Sequence, residues 1–220
     1  MKVFARLLAA GCALAALAVL AAAITGSGKA TTQSRQVQGF SGLGLSIPAI
    51  VEVGQAAHER LTITADDNVL PLIESVVEGG VLKLRLREGT QLRRATIRVS
   101  LQVKALESIS ISGSGEVRAP ALSGPRLRLS IAGSGDARVG GKAEALDVRI
   151  SGSGNVDAAR LAAQRAAVSV SGSGDATVSA RESLKVRIAG SGDVRYYGDP
   201  KVEKSVAGSG ARRRRGAAPP

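Results

Sequence analysis

The residues best placed to do chemistry are acids. Glu116, Asp136, Asn155, Asp175 and Asp193 each follow directly on a Gly-Ser-Gly triplet, recurring about every 19 residues. Such a column invites two chemistries, calcium binding and cleavage of a polysaccharide by paired carboxylates. Calcium-binding β-roll repeats are nonapeptides, with about half this period, and calcium takes roughly six to eight oxygen ligands. Asp and Asn also bond to nearby backbone N–H groups in turns, and that role is the expected one. Glycoside cleavage needs grouped acids, whereas these fall once per repeat. The Gly-Ser-Gly triplets could cradle an anion with consecutive N–H groups. Their recurrence once per structural unit instead makes them corners, where glycine supplies the positive φ of a sharp bend. His58, beside Glu59, reads as a surface loop residue. No serine lies in a G-x-S-x-G elbow, a single histidine excludes H-E-x-x-H, and the lone Cys12 excludes an internal disulfide or a cysteine-rich zinc site. No catalytic, cofactor-binding or metal-ligating residue is assigned.

The triplets begin at Gly113, Gly133, Gly152, Gly172, Gly190 and Gly208. Two residues before each stand Ile111, Ile131, Ile150, Val170, Ile188 and Val206, and four before stand Ile109, Leu129, Val148, Val168, Val186 and Lys204. Polar residues such as Arg128, Ser130, Asp147, Arg149, Ser169, Lys185 and Arg187 alternate with them. This is the period-two pattern of half-buried strands. A unit this short cannot bury its apolar face alone, but stacked units share a continuous core. The expected fold is therefore all-β, a parallel β-helix (β-solenoid) with right-handed winding, the default for parallel crossovers. Residues 108–210 form its regular coils. Residues 36–107 lack the triplet but alternate at Leu61–Thr64, Val81–Leu86 and Ile97–Leu101, and read as irregular N-terminal coils covering one edge. Within them, Asn68 to Val77 has the makings of a short helix, with Pro71 near its first turn.

The ends differ from the middle. A basic start (Lys2, Arg6), an apolar run from Leu7 to Ile24 and small residues beyond it describe a signal peptide over 1–30, cut after Ala23 or after Ala30. The rival is an uncleaved membrane anchor, since the run approaches spanning length. Ala10-Gly11-Cys12 resembles a lipobox but lies too close to the start. Export to periplasm, surface or medium follows, and a chain without a thiol after cleavage suits it. Residues 211–220 read as a disordered basic tail lying free of the solenoid. Its Arg212, Arg213, Arg214 and Arg215 serve as a solubilising end or as a weak electrostatic contact to an anionic membrane or polymer, so its deletion is expected to leave the melting temperature unchanged. The net charge is +12, of which the two ends supply +7, leaving an ordinary +5 between them. With two Phe, two Tyr and no Trp, the chain has almost nothing on which bases could stack. Nucleic acid is not an expected partner.

These features, ending in Val194-Arg195-Tyr196-Tyr197-Gly198-Asp199-Pro200, resemble one family, described as "putative auto-transporter adhesin, head GIN domain". Asp67-Asn68-Val69-Leu70 and Glu78-Gly79-Gly80-Val81-Leu82-Lys83 are similar to that family's first half, so the resemblance runs from about Phe40 to Gly210. It implies a right-handed parallel β-helix of pectin lyase-like shape, export, and suspected adhesion. It carries no catalytic residues and no cofactor. The arginine run departs from the family pattern. The expected function is a non-catalytic interaction module meeting a macromolecular or glycan partner at the cell envelope. Alternatives are a polysaccharide-active enzyme and an envelope structural protein that pairs with its own kind as a homo-oligomer.

Overall fold

The computed structural model describes residues 23–216. The basic start, Cys12, most of the apolar run and residues 217–220 lie outside the described residues. Four long strand segments, Glu116–Gly133, Asp136–Gly152, Asn155–Gly172 and Ala176–Gly190, pair in parallel, each with the next. Ile131 lies opposite Ile150, then Val170, then Ile188, so the repeat in sequence becomes a column in space. Each coil has a short ladder (116–119), a middle ladder (122–124) and a long ladder (126–133), named here by the first long segment. Some coils are 20 residues long and others 18, and the register slips only around the middle ladder, between Ala119 and Leu122, Arg138 and Gly140, or Ala158 and Ala162, with one further irregularity between Ala163 and Arg165. The long ladder beyond it runs without interruption. Stacked parallel coils of a β-solenoid are therefore what the period-two, 19-residue pattern builds.

The core is a set of apolar columns. Leu43, Ile109, Leu129, Val148, Val168 and Val186 stack one above another and are at most 2% exposed. Each such side chain contributes about 1.5–3 kcal/mol by leaving water. The Gly-Ser-Gly corners let the columns approach. Gly152 has φ 123°, and a Cβ there would stand 2.5 Å from the Gly133 carbonyl oxygen. A Cβ on Gly154 would run into the Gly135 carbonyl oxygen and stand 2.6 Å from Ile131 Cγ2, so the second glycine of the triplet is required by the neighbouring backbone and the core rather than by φ.

The N-terminal half departs from the simple continuation expected. Gly42–Leu45 and Ala49–Gln55 form the coil beneath Ser108–Gly113 and Glu116–Gly133, while Val81–Leu86 and Ile97–Val103 form the next coil out. The two coils thus stack in reverse of chain order. Between them the chain makes antiparallel strands that cover the end. Ile73–Glu78 pairs with Val81–Leu86, Arg60–Asp66 with Ile97–Val103, and Ala30–Arg35 with Arg60–Asp66. Gly79 and Gly80, both at positive φ, form the two-residue turn of the first pair. The helix expected from Asn68 to Val77 is corrected to a single 3-10 turn, Leu70–Leu72, followed by the strand Ile73–Glu78. Cross-strand pairing of Ile73, Ser75 and Val77 with Leu86, Leu84 and Leu82 outweighs the weak local preference for helix.

The basic tail is corrected too. Arg212–Arg214 is a strand, paired in parallel with Val194–Tyr197 at the 18-residue offset of the last coils. Arg215 N–H donates to Tyr196 O at 2.8 Å and Gly198 N–H to Gly216 O at 2.9 Å. Arg212 sits in the inward column above Val194, its guanidinium 5.4 Å from the Tyr196 ring centroid, a cation–π contact. Arg214 donates to Gly198 O at 3.0 Å and pairs with Asp199 at 3.1 Å. The run forms the outermost described rung because the coil period carries through it, and an inward cation is tolerated where, among the described residues, no further coil lies above.

Two stability measurements follow. Ile150 is 1% exposed and Arg149 faces solvent. Ile150→Asp, which buries an unpaired carboxylate, is expected to unfold the protein, whereas Arg149→Asp leaves its melting temperature within a few degrees. Equal melting temperatures would refute the inward–outward assignment. Deleting residues 212–216 uncovers Tyr196 and Val194 and is expected to lower the melting temperature. An unchanged value would show that the last rung does not hold.

Candidate functional site

The acid column lies along the start of the short ladder. Glu116 is opposite Asp136, and Asp136 is opposite Asn155. The column's oxygens are spent on the neighbouring coil. Asn155 Nδ2 donates to Asp136 Oδ1 at 2.9 Å, Asp193 N–H to Asp175 Oδ1 at 2.9 Å, and Ala211 N–H to Asp193 Oδ1 at 2.9 Å. Arg195 reaches both Asp175 (3.1 Å) and Asp193 (3.6 Å), which relieves the repulsion between stacked carboxylates. At the other end Glu116 accepts from Arg118 Nε at 2.9 Å and Arg138 Nη1 at 2.8 Å. Among the described residues no group of three or more His, Cys, Asp or Glu is placed to hold a metal ion.

The triplet corners are likewise occupied. Ser134 N–H donates to Gly113 O, and Ser153 and Gly154 N–H both donate to Gly133 O, at 2.9, 2.9 and 3.0 Å. Backbone donors used between coils cannot cradle a ligand. His58 is exposed in the bend between Ala49–Gln55 and Arg60–Asp66.

Chemistry concentrates instead on the outward rows of the long ladder. One column runs Arg126, Ala145, Arg165, Ser183, Lys201; beside it run Arg128, Asp147, Ala167, Lys185, Glu203. A third runs Ser130, Arg149, Ser169, Arg187, Ser205. Seven cations face two carboxylates, and both carboxylates are engaged, Asp147 with Arg149 (3.3 Å) and Glu203 with Lys185 (3.1 Å). Arg165 meets Glu182 only at 3.7 Å, and Arg126, Arg128 and Arg187 form no ion pair among the described residues. Because Ala145 and Ala167 are small, a shallow groove of about 400 Å³ opens between Arg126 and Arg128 on one side and Arg165 and Lys185 on the other. A larger groove of about 560 Å³ lies on the short ladder, lined by Glu52, Arg118, Pro120, Arg138, Asp157 and Arg160. Its Arg118 and Arg138 are already committed to Glu116, so it offers less uncompensated charge.

The alternation of the sequence named Arg128, Asp147, Arg149, Lys185 and Arg187 as outward without joining them, and passed over Arg126 and Arg165. The missed signal was the phase: aligned at the triplets, successive repeats put Arg126 and Arg165 either side of Ala145, and Arg128 and Lys185 either side of Asp147 and Ala167.

No curated protein matches the chain in sequence. The family described as "putative auto-transporter adhesin, head GIN domain" matches residues 39–200, and the chain belongs to that family. Among solved structures it is similar to a "putative adhesin" of Bacteroides fragilis NCTC 9343, at 24% identity and TM-score 0.72, over 87% of this chain and 100% of that one. A "putative lipid binding protein" of Parabacteroides distasonis ATCC 8503 aligns at 22% identity and TM-score 0.60, over 88% and 100% of the two chains. A "putative adhesin" of Parabacteroides merdae ATCC 43184 aligns at 22% identity and TM-score 0.54, over 87% and 98%. These likenesses establish the fold.

Glu116 supplies a pH test of the column. The hydrogen bond from Arg118 holds its carboxyl below the usual carboxylate range, opposed by partial burial and aided by the charges of Arg118 and Arg138. A carboxyl depressed in the folded state stabilises it above the unfolded pKa, and that stabilisation is lost as pH falls through the folded value. Glu116→Gln is therefore expected to be less stable at neutral pH and to lose less on acidification below the ordinary carboxylate range. Parallel stability–pH curves for the two proteins would show that the Arg118–Glu116–Arg138 cluster contributes nothing.

Proposed function

We propose that the chain is an exported, non-catalytic interaction module that presents the long-ladder face of its solenoid to a macromolecule of the bacterial cell envelope. The observation carrying this reading is the division of labour among polar side chains. The acids that could have done chemistry are consumed between coils, whereas the outward arginines of the long ladder remain available. Membership of a family named for adhesion supports it. The name of the Parabacteroides distasonis relative raises a lipid ligand. Here the interior is occupied by side chains such as Leu45, Leu84 and Leu101, each 0% exposed, which argues against an acyl chain held between the coils. No helix among the described residues is long and apolar enough to cross a membrane.

Export through a cleaved leader belongs to the same reading, with the cut after Ala23. After that cut Ile24 and Thr25 still pair with Leu92 and Arg93, Ser27 N–H donates to Asn68 Oδ1 at 3.0 Å, and Asn68 Nδ2 donates to Thr25 O at 2.8 Å. A cut after Ala30 would discard all of these. Self-association through the open end is disfavoured because Lys204 and Arg212 occupy inward positions there. Of the arginine run, Arg213 and Arg215 remain exposed for a weak contact with an anionic membrane.

Purified protein is expected to co-sediment with isolated envelope material and to release no new reducing ends from a panel of acidic and neutral polysaccharides. Depolymerisation of any of them, abolished with the protein's removal, would replace the binding reading by the enzymatic one.

A further inference from the structure

The groove on the long ladder has a composition that selects among envelope macromolecules, and this inference rests on the interaction reading above. The geometry points to an acidic polysaccharide as the ligand, lying along the solenoid axis over Ala145 and Ala167, with its anionic groups between Arg126 and Arg165 in one column and Arg128 and Lys185 in the next.

Three observations carry it. The first is charge. In the first column Arg126 and Arg165 lie one rung either side of Ala145, about 10 Å apart at the usual strand spacing. Arginine forks bind carboxylate and related oxyanions bidentately, and a linear polymer with charges at regular intervals meets a linear array of such forks. The second is the neighbouring surface. Ser130, Ser151, Ser169 and Ser171 point outward between the groove and the triplet corner, a bed of hydroxyls suited to a hydroxyl-rich chain. The third is what the face lacks. The only large hydrophobics that are exposed among the described residues are Val76 and Val206, neither in the groove, so nothing there enters a bilayer. Tyr196 is buried and no aromatic side chain lines the groove, so nothing there stacks on bases. Asp147, which lines the groove beside Arg128, is engaged by Arg149 at 3.3 Å, so the second column keeps a net positive charge.

The test uses the secreted form of the protein and measures binding to polygalacturonate, with dextran as the neutral arm and dextran sulfate, duplex DNA and phosphatidylglycerol vesicles as other polyanions. Binding to polygalacturonate is expected at low ionic strength and release at about 1 M salt, where the Debye length is about 3 Å. Arg126→Ser with Arg165→Ser is expected to weaken it about tenfold or more, as loss of charge-assisted bonds implies. Lys142→Ser with Arg160→Ser removes the same charge elsewhere on the surface and is expected to leave binding within about twofold, as for charges that act only through the general field. Should the first pair misfold, Arg128→Ser with Lys185→Ser repeats the test in the second column. Equal losses for both pairs would reduce the effect to net charge and overturn the inference. So would equal or tighter binding to DNA or vesicles that the same substitutions abolish. Binding to dextran alone, or to isolated envelope but to none of the polyanions, would overturn the inference while leaving the interaction module standing. Failure to bind envelope material at all would remove that reading as well.

Discussion

The structure depends on how closely two glycine backbones can approach at a corner. In each Gly-Ser-Gly triplet the first glycine turns the chain at positive φ directly beneath the carbonyl of its counterpart one coil away, as Gly152 does under Gly133. The second lies against an aliphatic branch of the long ladder, as Gly154 does against Ile131. Any side chain at either place would push the coils apart at one corner only and tilt the stack. Once the corners are seated, the N–H groups of Ser134, Ser153 and Ser173 find carbonyls in the coil before, and the register of the long ladder is set from that corner outward. Differences in coil length are pushed to the far side, around the middle ladder, where Gly140 and Gly141 absorb a slip.

Fixed register makes every position a column, and columns impose their own chemistry. Inward, identical apolar residues stack well because each covers the one below. Outward, identical charges stack badly, a few ångströms apart. The acid column escapes by alternating its partners. Asn155 stands between Asp136 and Asp175 as a donor to one side and an acceptor to the other, and Arg195 spans the last two acids. The arginine rows of the long ladder escape differently, by placing alanine, serine or, beside Arg128, the carboxylate of Asp147 between basic rungs. That spacing relieves repulsion and opens the groove at the same time.

What the sequence disclosed divides along the same line. The inward columns and corners were legible because the fold constrains them in every repeat, so Ile111 through Val206 announce themselves by spacing alone. The reversed stacking of the two N-terminal coils was not, since alternation says which face of Val81–Leu86 is buried but not which strand lies beside it. The helix expected at Asn68–Val77 failed because its local pattern is ambiguous and the partner strand decides. The arginine run misled for a third reason. Four adjacent cations look solvated, yet an 18-residue count from Val194 lands on Arg212, and the period outranks composition when backbone partners are waiting. The basic groove was invisible for the converse reason. Outward residues answer to no packing rule, so only their alignment across four coils gathers the charge.

The two ends of the solenoid differ from its flank, and from each other, in how their backbone edges are managed. The outermost parallel coil at one end is covered by Ile73–Glu78, Arg60–Asp66 and Ala30–Arg35, which turn the ladder antiparallel. At the other end no strand among the described residues lies above Lys201–Ala207. There Lys204 stands in the column of Val186, and Arg212 in the column of Val194. A second molecule adding a rung would bury these cations without partners, a loss on the order of several kcal/mol. Charge at one end and antiparallel pairing at the other each work against the addition of a further parallel rung. The regular spacing that lets each inner coil accept the next is thus met at both ends by chemistry that the inner coils lack, hairpin pairing at one and inward cations at the other.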